Sequence, residues 1–279
     1  MKLATYDNGA GPQTGVVAGD KIFPTGVPGS MIDLIRDWDH HKAQVTRAPS
    51  TGSPLSLSSV HLLAPVLRPG KVCAIGLNYA DHIAESNMET PEHQVWFTKA
   101  VTSINGPFDP ILVSKTGPLV DYEIELVAII GKRGKHISRD KAHEHVFGYC
   151  VGNDVTERRW QHQTPQWSLG KSFDTHAPIG PWITTPDEVP DPHVLGLRCF
   201  VNGDKRQESN TEHLVFDVWA QIAHLSQAMT LEPGDVIFTG TPAGIGATMN
   251  PRQFLKPGDV LRSEIDVLGV MEATLAAEV

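Results

Sequence analysis

The alternation of apolar and polar positions along the chain predicts many short strands and few helices. Near the N-terminus, KLATYD and TGVVAGDKIFPT read as strands punctuated by glycine turns. Residues 30–45, SMIDLIRDWDHHKAQV, bring Ile32, Ile35 and Trp38 to near-helical spacing behind an opening Ser30, which predicts a helix. The polar Ser/Pro/Gly stretch at residues 48–60 reads as a linker. Beyond it, KVCAIGL, EIELVAIIG, PWITT, LRCFVNG, DVIFTG and DVLRSEIDVLGVMEATL are predicted strands, and a Pro-Gly turn precedes each of the last two. The predicted helices are ADHIAESN, extending toward residue 90, and LVFDVWAQIAHLSQAM at 214–229. The elements describe a mostly β chain with some α (α+β): a small N-terminal module at 1–65 and a larger body at 66–279.

Composition narrows this picture. The 25 glycines and 21 prolines are scattered through the 279 residues, which suits frequent turns and not a disordered linker. A net charge of -9 argues against a nucleic-acid or anionic-membrane partner. Cys73, Cys150 and Cys199 lie far apart without a CxxC, so reduced thiols and a cytoplasmic location are expected, with no disulfide framework or zinc cluster. No apolar run approaches the length of a membrane span, and MKLATYDNGAG lacks the core of a signal peptide; neither feature is expected.

The stretch DYEIELVAII, 121–130, has the apolar content of a buried strand but carries carboxylates in its first half. In a strand, Glu123 and Glu125 project from the same face, where like charges repel unless a cation holds them together. Asp154 follows the apolar segment ending at Gly152-Asn153, at a strand exit where functional side chains are often presented. Together these acids would form an all-oxygen site suited to Mg²⁺, Mn²⁺ or Ca²⁺. The competing reading is an exposed glutamate pair plus a helix-capping aspartate.

Elsewhere, His82 and Glu85 stand at i, i+3, where a carboxylate can fix an imidazole as a general base, although a surface pair fits the spacing equally well. TGTPAGIG, 239–246, lacks the Lys-Ser/Thr of a phosphate-binding loop. Its glycines and Thr241 suit a single carboxylate, or simply a tight turn. Lys171 lies among small residues in SLGKSFDTHAPIGPW, available to an anion or to solvent. His40, His41, His143, His145 and His162 read as solvated or structural.

In order along the chain, GLNYADHIAE, FTKAVTSINGP, VDYEIELVAIIGKRG, GYCVGNDVTERRWQ, GKSFDTHAPIGPW and IFTGTPAGIG resemble the fumarylacetoacetate hydrolase superfamily over about residues 70–265. The likeness is to its acylpyruvase and 2-hydroxyhepta-2,4-diene-1,7-dioate isomerase branch. It implies a mixed β-sandwich roll in a homodimer, with a divalent metal on Glu123, Glu125 and Asp154. It also implies a His82–Glu85 dyad on a mobile lid, a substrate-contacting Lys171 and a Gln161 that positions substrate or water. Arg158, Tyr79, Gly240 and Thr241 fall on substrate-binding positions, the last two in the turn that takes the substrate carboxylate. Trp160 and Trp167 would shape the substrate tail.

The chemistry implied is Lewis-acid stabilisation of a 2-oxo acid as its enolate forms. For a 2,4-dioxo acid, the dyad would activate water to attack C4 and cleave the C3–C4 bond, giving pyruvate or a related 2-oxo acid and a carboxylic acid. Hydrolysis of this acylpyruvate type is the first expectation. Oxaloacetate decarboxylation, and isomerisation or hydration of 2-hydroxy-dienoates, would use the same enolate. A non-catalytic small-acid binding protein would require an eroded triad or a missing base, and the sequence retains both.

Overall fold

The computed structural model describes residues 1–86 and 89–279. Of the predicted helix ADHIAESN, Ala80–Glu85 is helical, and its continuation through residues 87–88 lies outside the described residues. Among the described residues, no helix is long and apolar enough to cross a membrane.

A large mixed sheet runs through the chain. Its central strand, Ile124–Ile130, pairs antiparallel with Val146–Asn153 on one side and Val236–Phe238 on the other. Every residue of this strand is buried, and its two faces enter different cores. Ile124, Leu126, Ala128 and Ile130 pack into one cluster, Val127 and Ile129 into a second. Burial on both faces explains a nearly continuous apolar run without polar alternation. Beyond Val236–Phe238 the sheet continues through Val72–Gly76 to Val95–Thr98, and beyond Val146–Asn153 it continues to Ala177–Thr184.

The N-terminal strands extend the same sheet: Lys2 and Leu3 pair with Thr184 and Ile183, and Pro12–Ala18, Lys21–Pro24 and Leu55–Ser56 follow outward. The predicted helix at 30–45 is instead two, α1 (Met31–Arg36) and α2 (Trp38–Thr51), broken at Asp37. Ser30 and Asp33 close a capping box at the start of α1. α2 runs into the stretch predicted as linker because Val45 and Ala48 bury against the core; tertiary packing outweighs a polar, proline-containing sequence.

The second sheet has the order Asp204–Asn210, Gly196–Val201, Val260–Ile265, Gly269–Ala277 and Ile111–Val113. The long segment DVLRSEIDVLGVMEATL is thus a hairpin and not one strand. Three further α-helices lie among the described residues: α3 (Ala80–Glu85), α4 (Arg158–Gln161) and α5 (Val218–Ala228). A short ribbon pairs Val120–Asp121 with Thr156–Glu157, bringing the chain just before the glutamates beside the chain just after Asp154.

Candidate active site

That ribbon and the central strand bring the acids together. Ile124 pairs with Asn153, so Glu123 and Asp154 face each other just beyond the paired ends of the two strands. Asp154 N–H donates to the Glu123 carbonyl (2.8 Å), and Glu123 N–H donates to the Asn153 side chain (2.9 Å). One oxygen from each of Glu123, Glu125 and Asp154 lies within 4.8 Å of the other two, and all three residues are buried. The reading of an exposed pair therefore fails for these glutamates.

Protein cations occupy part of this cluster. Lys171 Nζ bridges Glu123 (2.7 Å) and Asp154 (2.6 Å), and Lys99 Nζ reaches the other Asp154 oxygen at 2.5 Å. Arg158 pairs with Glu123 (2.7 Å) and with Asp121 (2.8 Å). Burial disfavours the charge on Glu123, but Lys171 and Arg158 outweigh it and hold the carboxyl down to about 2. Glu125 behaves oppositely: burial, then the charges of Asp154 and Glu123, push its carboxyl well up. Its oxygen accepts from the Gly240 N–H (2.7 Å), and among the described residues it has no ion pair. Four carboxylates (Asp121, Glu123, Glu125, Asp154) thus face three cations (Lys99, Arg158, Lys171). The uncompensated member is Glu125, and an oxygen-only donor set short of positive charge fits a hard divalent cation.

The cluster opens on a cavity of about 490 Å³, lined by Glu123 and Glu125 and also by His82, Arg158, Gln161, Lys171 and Thr241. α3 carries His82, whose Nδ1 lies 2.9 Å from Glu85 Oε1. The other Glu85 oxygen accepts from Gly244 N–H and Thr248 Oγ1, each at 3.0 Å. Burial opposes ionisation of Glu85, but the bonds from His82, Gly244 and Thr248 prevail and lower its pKa. An ionised Glu85 fixes the proton on Nδ1 and leaves the His82 Nε2 lone pair free for base chemistry.

Gln161 Oε1 accepts from Arg158 Nη1 at 3.0 Å; because a guanidinium can only donate, this fixes the amide's orientation and leaves its NH₂ free. Thr241 Oγ1 accepts from Gln207 Nε2 (2.8 Å), which leaves its own hydroxyl proton to donate into the cavity. The glycine-rich turn differs most from expectation. Its N–H groups serve the protein's own acids: Gly240 donates to Glu125, Gly244 to Glu85, and Gly246 and Ala247 to Asp121 (2.8 and 3.0 Å). In this arrangement Gly240 positions a carboxylate of the cluster, and Thr241 alone of the expected pair meets the cavity. Tyr79, expected at the substrate, is fully buried in the core cluster, and its hydroxyl has no hydrogen-bond partner. Trp167 lines the cavity with its ring packed edge-on to Phe97, whereas Trp160 packs edge-on to Phe173 and donates to the Thr116 carbonyl.

Sequence reading missed Lys99 and Asp121. A single lysine in FTKAV has no pattern that separates it from a solubilising one. Asp121 was visible as a further acid of DYEIEL, but its role depends on long-range contacts with Arg158 and the turn at Gly246.

Comparison with known proteins agrees with this geometry. The family model described as "Fumarylacetoacetate (FAA) hydrolase C-terminal" matches residues 71–276. A mitochondrial oxaloacetate tautomerase of Xenopus laevis is 49% identical over 219 residues, 78% of this chain and 69% of that protein. A mitochondrial oxaloacetate tautomerase of Bos taurus is 43% identical over 272 residues, 94% of this chain and 87% of that one. Among solved structures, maleylpyruvate hydrolase from Sphingobium sp. SYK-6, in complex with manganese(II) and pyruvate, superposes with TM-score 0.86 at 34% identity over 100% of both chains. The 2-hydroxyhepta-2,4-diene-1,7-dioate isomerase of Mycobacterium marinum superposes with TM-score 0.80 at 31% identity, covering 100% of this chain and 99% of that one. With a family model spanning most of its length and solved neighbours of the same α+β fold, the chain belongs to the fumarylacetoacetate hydrolase family.

Proposed function

We propose that the chain catalyses metal-dependent proton transfer on a 2-oxo acid, interconverting the keto and enol forms of oxaloacetate. The observation that carries this reading is a single oriented base, His82 held by Glu85, facing a cavity whose acid cluster lacks one positive charge. The tautomerases of Xenopus laevis and Bos taurus support it by similarity. Glu123, Glu125 and Asp154 would hold the metal, Mg²⁺ or Mn²⁺, which supplies Lewis-acid stabilisation of negative charge on the 2-oxo oxygen.

The side chains account for the remaining steps. His82 Nε2 takes the C3 proton of the keto acid and returns it to the 2-oxygen, and Glu85 stabilises the imidazolium between the two transfers. Lys171 and Arg158 remain ion-paired to the acids and keep them ionised. Thr241 Oγ1–H donates to the substrate's C1 carboxylate.

Acylpyruvate-type C–C hydrolysis is the second reading, favoured by the likeness to maleylpyruvate hydrolase. It needs a positioned water, for which Gln161 offers its NH₂ and the second lone pair of an oxygen already accepting from Arg158. The higher identity to the tautomerases, 49% and 43% against 34% for the hydrolase, ranks hydrolysis below tautomerisation.

The test follows loss of enol-oxaloacetate absorbance with Mg²⁺ or Mn²⁺, for wild type and Glu125→Gln, with pyruvate release from acetylpyruvate measured in parallel. Faster enol decay that disappears in the variant supports the first reading. Pyruvate release alone replaces it with the second, and inactivity on both substrates overturns both.

A further inference from the structure

The two ends of the cavity differ in chemistry. At the inner end every cation is committed: Arg158 to Asp121, Glu123 and Gln161, and Lys171 to Glu123 and Asp154. At the outer end, Arg159, Arg252 and His162 line the same cavity. Among the described residues, none of these three side chains has an ion pair or a hydrogen bond, although the chain carries nine more acidic than basic residues. Unpaired guanidiniums at the mouth of a metal-type site suit an anion that arrives with the substrate.

Both arginines stand on anchored backbone. Arg159 lies in α4, whose start is capped by Glu157 accepting from the Trp160 N–H at 2.7 Å. Arg252 precedes Gln253, whose N–H donates to the Gly246 carbonyl (3.0 Å), and Leu255 N–H donates to the Val120 carbonyl (2.7 Å). His162 stands with them: burial first, then the charges of Arg158, Lys171 and Arg252, lower its pKa, so the cationic groups converge on this part of the cavity. Phe97, Leu119, Trp167, Ile245 and Phe254 supply apolar wall between the acid cluster and the rim.

We propose that Arg159 and Arg252 form a subsite for the distal carboxylate of the substrate, so that the cavity selects 2-oxo dicarboxylic acids with a carbon spacer over 2-oxo monocarboxylic acids of equal length. The inference rests on the 2-oxo acid reading of the site and adds to it the residues that recognise the second carboxylate. The apolar wall receives the spacer, and the rim arginines desolvate little while forming a charge-assisted pair with the free carboxylate.

Titration calorimetry in the presence of Mg²⁺ compares 2-oxoadipate with 2-oxohexanoate, which share a chain length and differ in the distal carboxylate. For wild type the dicarboxylate is expected to bind at least about tenfold more tightly, the equivalent of one good ion pair at this affinity scale. In the Arg159→Gln/Arg252→Gln double variant, that ratio is expected to collapse toward one, with the melting temperature as a check on folding. A ratio unchanged in the folded double variant, or a wild type that prefers the monocarboxylate, overturns the subsite. Failure of the wild type to bind either acid overturns the 2-oxo acid reading itself, and the subsite with it.

Discussion

Glu123 and Glu125 share one strand face, yet their surroundings drive their protons in opposite directions. Lys171 and Arg158 hold the first ionised, while burial and the neighbouring acids press the second toward neutrality. His82 has the complementary task of moving a proton, and Glu85 sets which nitrogen can accept one. A positioned base contributes about 10²–10⁴-fold to rate. His82→Ala should therefore lose about that factor in kcat while binding of Mn²⁺, followed by calorimetry, is retained. A histidine outside the site gives a separate prediction. His176 is buried with Nε2 against the Leu112 carbonyl (2.9 Å) and Nδ1 unpartnered. Burial, assisted by Lys99, lowers its pKa from 6.5 to about 4, against the opposing Leu112 hydrogen bond. Between those values the unfolded chain binds a proton that the folded chain refuses, so stability rises with pH through this window. The contribution is complete above about pH 6.5, and about 3 kcal/mol of it is lost by pH 4, from 1.36 kcal/mol per pKa unit. His176→Gln should flatten the urea midpoint between pH 7 and 5 relative to wild type.

The glycine-rich turn acts as a distributor of N–H groups to Glu125, Glu85 and Asp121, and it couples Glu85 on α3 to two acids of the DYEIEL stretch. It tolerates no Cβ at Gly246, where one would meet the Gln253 carbonyl oxygen at 1.8 Å. Asp121 is the hinge of this arrangement, accepting from Gly246, Ala247, Tyr122 and Arg158. Asp121→Ala should cost about 3–5 kcal/mol, because it strands three N–H donors and leaves the buried Arg158 guanidinium with Glu123 as its one carboxylate. Equilibrium urea denaturation measures the loss, and a cost below about 1 kcal/mol would remove Asp121 from this role. The strands were legible in the sequence where burial was strong: EIELVAIIG and KVCAIGL coincide with observed strands. The acid triad was legible because strand geometry places residues i and i+2 on one face and because a strand exit presents Asp154. The break at Asp37 and the hairpin within 260–277 were not legible, since both depend on what packs against the segment. The same limit hid the turn's true recipients. Glycines signal that N–H groups are accessible, but not which acid approaches them.

At the scale of the whole molecule, the acid cluster sets conditions on stability as well as on chemistry. Four carboxylates and three cations lie together under a chain already at -9, so without metal the folded protein resists ionisation of Glu125, which the unfolded chain ionises freely at neutral pH. Replacing this carboxyl by an amide should stabilise the metal-free form at neutral pH, because the neutral amide carries no penalty for suppressing an ionisation that the unfolded chain allows. Binding a divalent cation should stabilise the wild type by mass action, about 2.7 kcal/mol at a hundred times the dissociation constant. At about 2–4 °C per kcal/mol for a chain in this size range, the melting temperature should rise by roughly 5–10 °C on adding Mn²⁺. Glu125→Gln should therefore melt above the wild type in chelator and fail to shift when Mn²⁺ is added. The two curves cross: the variant is the more stable without metal and the less stable with it. A variant destabilised in chelator would mean that the Gly240 N–H already compensates Glu125. A variant that still shifted by several degrees would move the metal away from Glu125 and reopen the assignment of all three acids.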